Sequence, residues 1–439
     1  MTGDWRRLSL REANVMLIDC DHRTPPASEE GYPYVAIPQL RDGHIDLSDA
    51  RRITHELFVE WTRKAKPTTN DVVLSRRCNP GETAFVPPNL EFALGQNLVL
   101  LRADGTRVHP PFLRWLVRSP EWWEQIGKFL NVGAVFDSLR CADVPKFELP
   151  IPPLEEQRAI ARVLGALDDK IQLNLRMNQT LEAMARALYK SWFVEFAPVR
   201  AKVAGRSPGL PQHLADLFPT RLVDCELGDI PYGWKIRSAS EVCDTIFSGG
   251  TPSTAEPRYW AGGIPWLSSG ETRSKFIVAA EKSITAEGVT NSSTRLAKAG
   301  ATVIASAGQG HTRGQASMLM FDCYINQSVI ALQPDLRYTS SVHLFFDLER
   351  RYEEFRQLSD GHSSRGSLTT KLLAGTRMIM PPRALIEAFD KIAVPMVLRI
   401  ADALSESRTL ASLRDTLLPK LISGELRLRR AQSVVEEAF

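Results

Sequence analysis

Two polar, glycine-containing loops carry the side chains of this chain that are best suited to hydrogen-bonding chemistry. They are Ser75-Arg76-Arg77-Cys78-Asn79-Pro80-Gly81 and Ser306-Ala307-Gly308-Gln309-Gly310-His311-Thr312-Arg313-Gly314. Arginine, asparagine, glutamine and histidine can read the donor and acceptor patterns that base pairs present in a DNA groove. We therefore predict DNA contacts from both loops, although solvated turns are the plainer alternative. The candidate residues are Arg76, Arg77, Asn79, Gln309, His311, Thr312 and Arg313.

A third polar stretch extends this prediction. It is His362-Ser363-Ser364-Arg365-Gly366-Ser367, with Lys371 nearby. Its counterpart in the first half of the chain lies between Asn131 and Arg140. The same kinds of polar side chain occur here, so both stretches join the prediction of DNA contacts. The added candidates are Arg140, Ser364, Arg365 and Lys371.

The loops occupy equivalent places in an internal repeat. The strand-like run Asp71-Val72-Val73-Leu74-Ser75 recurs as Thr302-Val303-Ile304-Ala305-Ser306, and Gln96-Asn97-Leu98-Val99-Leu100-Leu101 recurs as Gln327-Ser328-Val329-Ile330-Ala331-Leu332. Further on, Pro152 corresponds to Pro381, an offset of 229 residues. A pseudo-twofold protein suits a pseudo-twofold partner such as duplex DNA. Matching scaffolds with different loops are what two different half-sites would need.

Each repeat ends in a long helix with a heptad-like apolar seam. A regular seam of this kind favours a partner helix, and the other copy is the nearest one, so we predict an antiparallel coiled coil. Asn174, Asn178 and Ser407 would fix its register, unless they are solvated kinks in an ordinary long helix. Leu175 and Met184 widen the stripe, which indicates that a third body docks there. The seam positions are Leu164, Leu167, Ile171, Asn174, Asn178, Leu181, Ala185, Leu188, Trp192, Ala393, Met396, Ile400, Ala403, Ser407, Leu410, Arg414, Leu417 and Leu421.

The predicted fold class is α+β, with two mixed α/β domains separated by the two long helices. Helical patches are expected near Arg51 to Arg63 and near Pro111 to Leu130. The first long helix should end near Phe196, before Pro198, and Pro395 should kink or delay the second. The predicted segments are a first domain at 1–150, a helix at 151–197, a linker at 198–234, a second domain at 235–380, a helix at 381–425 and a frayed tail at 426–439.

Composition excludes several classes of protein. The 439 residues are 44% apolar and 24% charged, as in an ordinary soluble protein of several domains. The net charge of +3 neither demands nor excludes nucleic acid. No segment approaches the roughly 18 consecutive apolar residues of a membrane span, and the start lacks a signal-peptide core. The six cysteines are scattered without a Cys-x-x-Cys pair, so we expect reduced thiols and a cytoplasmic protein.

No catalytic signature is recognisable in the sequence. A phosphate-binding loop is absent, His55-Glu56 fails as a zinc-protease motif because position 59 is Val59, and residues 361–366 lack the spacing of a nucleophile elbow. Asn79-Pro80-Gly81 lacks the second proline and the aromatic residue of an amino-methyltransferase motif. We see no cluster with metal-ligand spacing. We therefore expect a chain that binds rather than reacts, without a cofactor or metal of its own.

The helices and the repeat boundaries resemble a known family. Residues 150–160, Pro-Ile-Pro-Pro-Leu-Glu-Glu-Gln-Arg-Ala-Ile, and the helix through Tyr189-Lys190-Ser191-Trp192-Phe193 resemble the central region of type I restriction–modification specificity subunits. Leu417-Leu418-Pro419-Lys420-Leu421-Ile422-Ser423-Gly424-Glu425-Leu426 resembles their C-terminal signature. Gly228-Asp229-Ile230-Pro231-Tyr232-Gly233-Trp234 is similar to the entry to their second recognition domain. The resemblance covers nearly the whole chain.

The resemblance implies two target-recognition domains that each read one half of a bipartite, asymmetric sequence in double-stranded DNA. The antiparallel helices then set the spacer and dock two copies of a modification subunit, a methyltransferase that uses S-adenosylmethionine to methylate adenine N6. A restriction subunit that translocates and cleaves DNA, with ATP and Mg²⁺, can join them. These cofactors belong to the partner subunits in this family.

Two other functions remain open from the residues alone. The long helices suit a scaffolding protein that organises a multisubunit assembly without touching DNA. An enzyme with an unrecognised site is the third alternative.

Overall fold

The computed structural model describes residues 5–133, 136–307, 310–362 and 367–426, with the backbone alone at 361 and 362. Within it the chain forms two compact units. The first comprises Met1–Ile171 together with Thr409–Phe439, and the second comprises Gln172–Arg408. Each long helix contributes residues to both units. The predicted tail from residue 427 onward lies outside the described residues.

The first unit contains short strands and helices that lead into the first long helix. In chain order they are β1 (Arg6–Ser9), β2 (Val15–Asp19), β3 (Tyr32–Val35), β4 (Leu40–Arg41), β5 (His44–Ile45), β6 (Arg51–Ile53), α1 (His55–Thr62), β7 (Val72–Ser75), β8 (Thr83–Phe85), β9 (Ala93–Leu94), β10 (Leu98–Ala103), α2 (Pro110–Leu116), α3 (Pro120–Phe129), β11 (Glu148–Ile151) and α4 (Leu154–Tyr189).

An antiparallel sheet in the order β2-β10-β7-β8 forms the centre of the first unit. Its apolar residues alternate between two covered faces, as side chains of a strand must. Val72, Leu74 and Val99 join the apolar cluster that includes α2 and α4, whereas Val73 and Leu100 join a cluster on the opposite face. Burial on both faces explains why these strands are continuous apolar runs in the sequence.

The second unit begins inside α4, which continues as a π-helical turn, Lys190–Val194. The elements that follow are α5 (Ala197–Val203), α6 (Gln212–Ala215), β12 (Leu222–Val223), β13 (Ile230–Pro231), β14 (Lys235–Ser238), α7 (Ala239–Val242), β15 (Cys243–Ser248), β16 (Trp260–Leu267), β17 (Phe276–Ile277), β18 (Lys282–Ile284), α8 (Ala286–Thr290), β19 (Arg295–Ala297), β20 (Thr302–Ala305), β21 (Ala316–Leu319), β22 (Cys323–Ile325), β23 (Val329–Pro334), α9 (Ser341–Glu349), α10 (Tyr352–His362), α11 (Thr370–Ala374), β24 (Arg377–Met380) and α12 (Arg383–Ile422).

The sheets of the second unit repeat those of the first. The order β15-β23-β20-β21-β17 matches β2-β10-β7-β8 with one strand added, and β14-β24 matches β1-β11. The order β18-β16-β22-β19 likewise extends β6-β3-β9, and both sheets contain one parallel pair at the same place. The predicted α+β class with an internal repeat is confirmed by this shared topology.

The long helices pair within each unit. In the first unit, Leu164 and Leu167 of α4 share an apolar cluster with Leu417 and Leu421 of α12. In the second unit, the α4 residue Asn174 contacts Ala403, Glu406 and Ser407, and the Tyr189 ring lies 5.7 Å from that of Phe389. Rising numbers on α4 therefore face falling numbers on α12, so the pair is antiparallel.

The predicted seam positions lie in the interior of this pairing. Asn174 is 1% exposed and donates to three groups on α12, so it is not a solvated kink. Leu175 and Met184, beside the seam, are about half exposed. The buried seam residues are Leu164, Leu167, Asn174, Asn178, Ala185, Trp192, Ala393, Ile400, Ala403, Leu410, Arg414, Leu417 and Leu421, and those that are partly buried are Ile171, Leu181, Leu188, Met396 and Ser407.

Several predicted helix boundaries were wrong. Pro395 does not delay the second helix, since α12 begins at Arg383 and continues through it. The first long helix, by contrast, ends close to the predicted position, because Phe196 adopts a left-handed φ of 53° and Pro198 lies in the separate helix α5. The patch expected from Arg51 starts with strand β6. The patch expected from Pro111 divides into α2 and α3 because Ser119 and Pro120 start a new helix.

Candidate nucleic-acid interface

The first polar loop connects β7 to β8 through a tight turn. The amide of Ser75 donates to the carbonyl of Glu82 at 2.8 Å, and that of Gly81 donates back to Ser75 at 3.0 Å. Cys78 and Gly81 adopt positive φ angles of 64° and 100°. A Cβ on Gly81 would lie 2.9 Å from the Trp123 ring, so this position requires glycine. The turn is therefore a fixed structure that α3 supports.

Residues 138–140 lie against this loop. The amide of Leu139 donates to the carbonyl of Arg76 at 2.9 Å, and Arg77 forms a β-bridge with Ser138. The side chains of Arg77, Asn79 and Arg140 are all exposed. Arg77 belongs to the loop, and Arg140 belongs to the stretch that pairs with it. Two stretches that lie 60 residues apart in the sequence thus present their polar side chains from one place.

The second polar loop is anchored in the same way. The amide of Leu368 donates to the carbonyl of Ser306 at 2.8 Å, and Ala307 forms a β-bridge with Ser367. The corresponding bonds in the first unit join Leu139 to Arg76 and Ser138 to Arg77. The sequence repeat made the stretch near residue 367 the counterpart of the one between Asn131 and Arg140. In the structure, Ser138 and Leu139 contact the first loop through the same backbone bonds by which Ser367 and Leu368 contact the second.

Helix α10 holds residues 310–313 in place. Arg356 donates to the carbonyl of Gly310 at 2.9 Å, and the Tyr352 hydroxyl donates to that of His311 at 2.8 Å. Arg313 is only 5% exposed and donates to the Asp360 carboxylate at 2.6 Å. Arg313 therefore supports the loop, while the His311 side chain is exposed and that of Thr312 is partly exposed.

The remaining candidates of the second unit are less completely defined. Gln309, Ser364 and Arg365 lie outside the described residues. Lys371 is exposed on α11 and lines a cavity of about 920 Å³ with Ser367 and Thr369. Lys371 and Ser367 thus border one opening.

The structure adds polar residues that the sequence prediction did not include. The amide of Arg76 donates to the carbonyl of Asn97 at 3.0 Å, and the equivalent amide of Ser306 donates to Ser328 at 2.8 Å. Gln96, next to Asn97, is exposed. The repeated glutamine at positions 96 and 327 was a signal for this turn, but we interpreted it only as part of a strand.

In the described residues, two arginine side chains in the loops each have a hydrogen-bond donor without an acceptor. Within the described part of the chain, nothing accepts a hydrogen bond from the buried Nε of Arg76 or from that of Arg313. Buried donors without partners are uncommon in folded proteins. Both nitrogens are buried, so a rearrangement of the loop would be needed to give them a partner.

One side-chain group could hold a metal ion. The donor atoms of Asp19, Cys20 and His22 lie within 4.8 Å of one another, a cluster that the sequence prediction missed. The Lys64 ammonium lies 3.7 Å from the Asp19 carboxylate, and burial raises the pKa of the Cys20 thiol to about 11. A protonated thiol and a neighbouring cation both oppose metal binding.

Comparison with known families identifies the repeated units. The family model described as the type I restriction modification DNA specificity domain matches residues 21–183 and again residues 231–384. The two matches together cover more than half of the chain. The chain belongs to the family of type I restriction–modification specificity subunits. Each match contains the polar loops of one unit; the first extends into α4, and the second ends at the start of α12.

Curated members of this specificity-subunit family are similar over most of their length. The type I restriction enzyme HindI specificity subunit of Haemophilus influenzae is 26% identical over 401 residues, which cover 81% of this chain and 86% of that protein. The MjaIX specificity subunit of Methanocaldococcus jannaschii is 21% identical, with coverage of 86% and 82%. Recognition of DNA is accordingly the function of this specificity subunit.

A solved structure shares the fold of this specificity subunit. The type I restriction–modification S subunit from M. genitalium superposes with a TM-score of 0.61 and 17% identity, covering 95% of this chain and 96% of that one. The likeness concerns the fold alone at this level of identity.

Among the described residues, no helix is both long enough and apolar enough to cross a membrane.

Proposed function

We propose that this specificity subunit reads a bipartite, asymmetric target in double-stranded DNA. The loop at residues 76–81, with residues 131–140, reads one half, and residues 309–313, with the stretch from 364 to 371, read the other half. The observation that carries the proposal is the equivalent anchoring of two loops whose side chains differ. Two identical loops would favour a symmetric target, whereas two different ones favour an asymmetric target.

The side chains that would contact DNA differ in kind between the units. The first unit offers the exposed cations Arg77 and Arg140, together with Asn79. The second offers His311, Thr312 and Lys371, because Arg313 is bound to Asp360. Arginine reads guanine bidentately and also binds phosphate, whereas histidine and threonine are shorter and form single bonds.

The chemistry of modification and cleavage belongs to partner subunits under this proposal. Two copies of a methyltransferase subunit, carrying S-adenosylmethionine, dock on the long helices, and a restriction subunit that uses ATP and Mg²⁺ joins them. The half-exposed Leu175 and Met184 on α4 support a docking role for that helix. The purified chain alone, incubated with DNA and S-adenosylmethionine, should transfer no methyl group.

Paired loop variants test the assignment of half-sites. The full chain, reconstituted with its modification subunit, would methylate a DNA library, and the modified sites would then be sequenced. We expect Arg77→Ala with Arg140→Ala to relax one half of the target only. We expect His311→Ala with Thr312→Ala to relax the other half only. The proposal fails if each pair alters both halves equally or alters neither.

Arg63→Ala provides the matched control. Arg63 is an exposed cation of the first unit that belongs to neither loop stretch. Its removal lowers the net charge by one, half the change made by Arg77→Ala with Arg140→Ala, so it reports how far a general loss of positive charge alters base reading. We expect the methylated sequences to be unchanged.

Salt dependence separates DNA recognition from a purely scaffolding role. A protein that neutralises several phosphates loses affinity steeply between about 50 and 200 mM salt, because counterions are released on binding. We expect this behaviour for the reconstituted complex. A scaffold that does not touch DNA would show no such binding at any salt concentration.

A further inference from the structure

A buried cluster of charges lies where the long helices meet in the first unit. Asp168 of α4 is 1% exposed, and its carboxylate accepts a hydrogen bond from Arg414 of α12 at 2.8 Å. The His44 ring nitrogen lies 3.0 Å from the other carboxylate oxygen, and Arg114 of α2 lies 3.4 Å from it. The cluster thus joins both long helices to the recognition domain.

The cations of this cluster are held in apolar surroundings. The guanidinium of Arg114 lies 4.2 Å from the Phe85 ring centre and 4.4 Å from that of Trp115. Arg414 is 8% exposed. Charges buried in this way are costly unless they remain paired, so the cluster depends on every partner being present.

The three equivalent positions of the second unit are all apolar. At the repeat offset of 229, Asp168 corresponds to Val397 and Arg414 to Ala185. Helices α2 and α9 start at equivalent points, so Arg114 corresponds to Phe345. Val397, Ala185 and Phe345 are each at most 1% exposed and belong to one apolar cluster. The same three positions therefore carry charges in one unit and apolar side chains in the other. The buried carboxylates of the second unit, Asp347 and Glu349, lie on α9 and pair with Tyr189 and Arg186 of α4.

Stability alone does not explain the charges. Apolar side chains occupy the same three positions in the second unit, and buried ion pairs are often no more stabilising than well-packed apolar residues. The charges make the two halves of each long helix chemically different, because only the half in the first unit carries a charge at this position. Such a difference matters in a protein built from a repeat, because similar helices can pair with the wrong copy.

We infer that Asp168 and Arg414, with Arg114, direct α4 to pair with α12 of its own chain and oppose pairing of like helices between two copies. If α4 paired with α4 of a second chain, Asp168 would face Ala185 and lose Arg414. If α12 paired with α12, Arg414 would face Val397 and lose Asp168. Each mispairing leaves a buried charge short of its partner, at a cost that suppresses it on the order of a hundredfold.

The test removes the difference at the three equivalent positions. The triple variant Asp168→Val, Arg414→Ala and Arg114→Phe gives these positions the side chains that they have in the second unit. Full-length copies with two different affinity tags are unfolded together in urea and refolded by dilution. Capture on one tag then measures how much of the other tag is retained. We expect wild-type chains to refold as monomers and the variant to exchange copies at least tenfold more.

Controls keep the result interpretable. Glu155 and Arg158 form an exposed pair on α4, and Glu155→Ala with Arg158→Ala should leave exchange at the wild-type level. Circular dichroism reports whether the triple variant folds. If it does not fold, Asp168→Asn with Arg414→Gln removes the two charges that pair α4 with α12 and keeps polar side chains there, and we expect the same increase. Exchange at the wild-type level in the folded variant would overturn the inference.

Discussion

Asn174 of α4 donates a hydrogen bond to Glu406 of α12, with 2.7 Å between the amide nitrogen and the carboxylate oxygen. The same amide nitrogen lies 3.2 Å from the Ser407 hydroxyl and 3.4 Å from the Ala403 carbonyl. Few positions on an apolar seam can offer a polar side chain such a set of partners. The register of the two helices in the second unit is thus tied to one amide.

Replacing this amide should weaken the helix pair. Asn174→Ala removes the donor from the partly buried Glu406 and Ser407 and from the carbonyl of buried Ala403, which costs about 1–3 kcal/mol in the free energy of unfolding. Urea denaturation of the full chain measures the change. Gln179→Ala, at an exposed position of the same helix, is the control and should change little. An unaltered midpoint for Asn174→Ala would contradict a register role for the network.

The repeat and the coiled coil could be predicted because their signals are periodic. Matching runs recur at a fixed offset, and apolar residues recur at helical spacing. Both patterns can therefore be detected in the sequence without knowledge of tertiary contacts. The burial of Arg313 could not be predicted in this way. Its partner Asp360 lies 47 residues away, and no local pattern links them.

Pro395 shows how packing overrides a local preference. A proline inside a helix removes one backbone hydrogen bond and costs about 3 kcal/mol. Ala393 and Val397, on either side of it, are fully buried in the apolar cluster around the Phe389 ring. Their burial keeps α12 helical there. A local reading of the sequence has no access to these tertiary contacts.

Acid should destabilise the first unit through Asp168. Burial alone would raise the pKa of its carboxyl, but the neighbouring His44 ring and the cations of Arg114 and Arg414 hold that pKa at about 2. The unfolded chain binds the proton more tightly, so stabilisation is complete above about pH 5 and is lost as the pH falls towards 2. The loss amounts to about 2 kcal/mol.

Denaturation between pH 6 and pH 2 should reveal this contribution. Asp168→Asn should flatten the acid limb of the stability profile relative to the wild type, and it should also lower stability at neutral pH. Asp169→Asn, at the exposed neighbouring position, is the matched control. Parallel profiles for Asp168→Asn and the wild type would show that the carboxylate is not the titrating group.

Gly81→Ala should disturb the first recognition loop. The φ of 100° is unfavourable for alanine, and its Cβ would lie 2.9 Å from the Trp123 ring. Gly127→Ala is the matched control, since nothing lies within 4 Å of a Cβ at that exposed position of α3. Alanine there should stabilise the helix by about 0.5–1 kcal/mol. Methylation profiling should show relaxed reading of one half-site for Gly81→Ala alone, and equal profiles for both variants would contradict a role for this turn.

The helix pair should act as a ruler for the spacer between half-sites. One heptad is inserted in α4 after Asn174 and another in α12 before Ala403. These two insertions preserve the contacts of Asn174 with Glu406 and Ser407. The two added turns lengthen the pair by about 10.5 Å, roughly three base pairs. Methylation profiling should therefore find both half-sites unchanged and the spacer longer. A heptad inserted in α4 alone breaks the seam register and should abolish activity, whereas an unchanged spacer with the double insertion would refute the ruler.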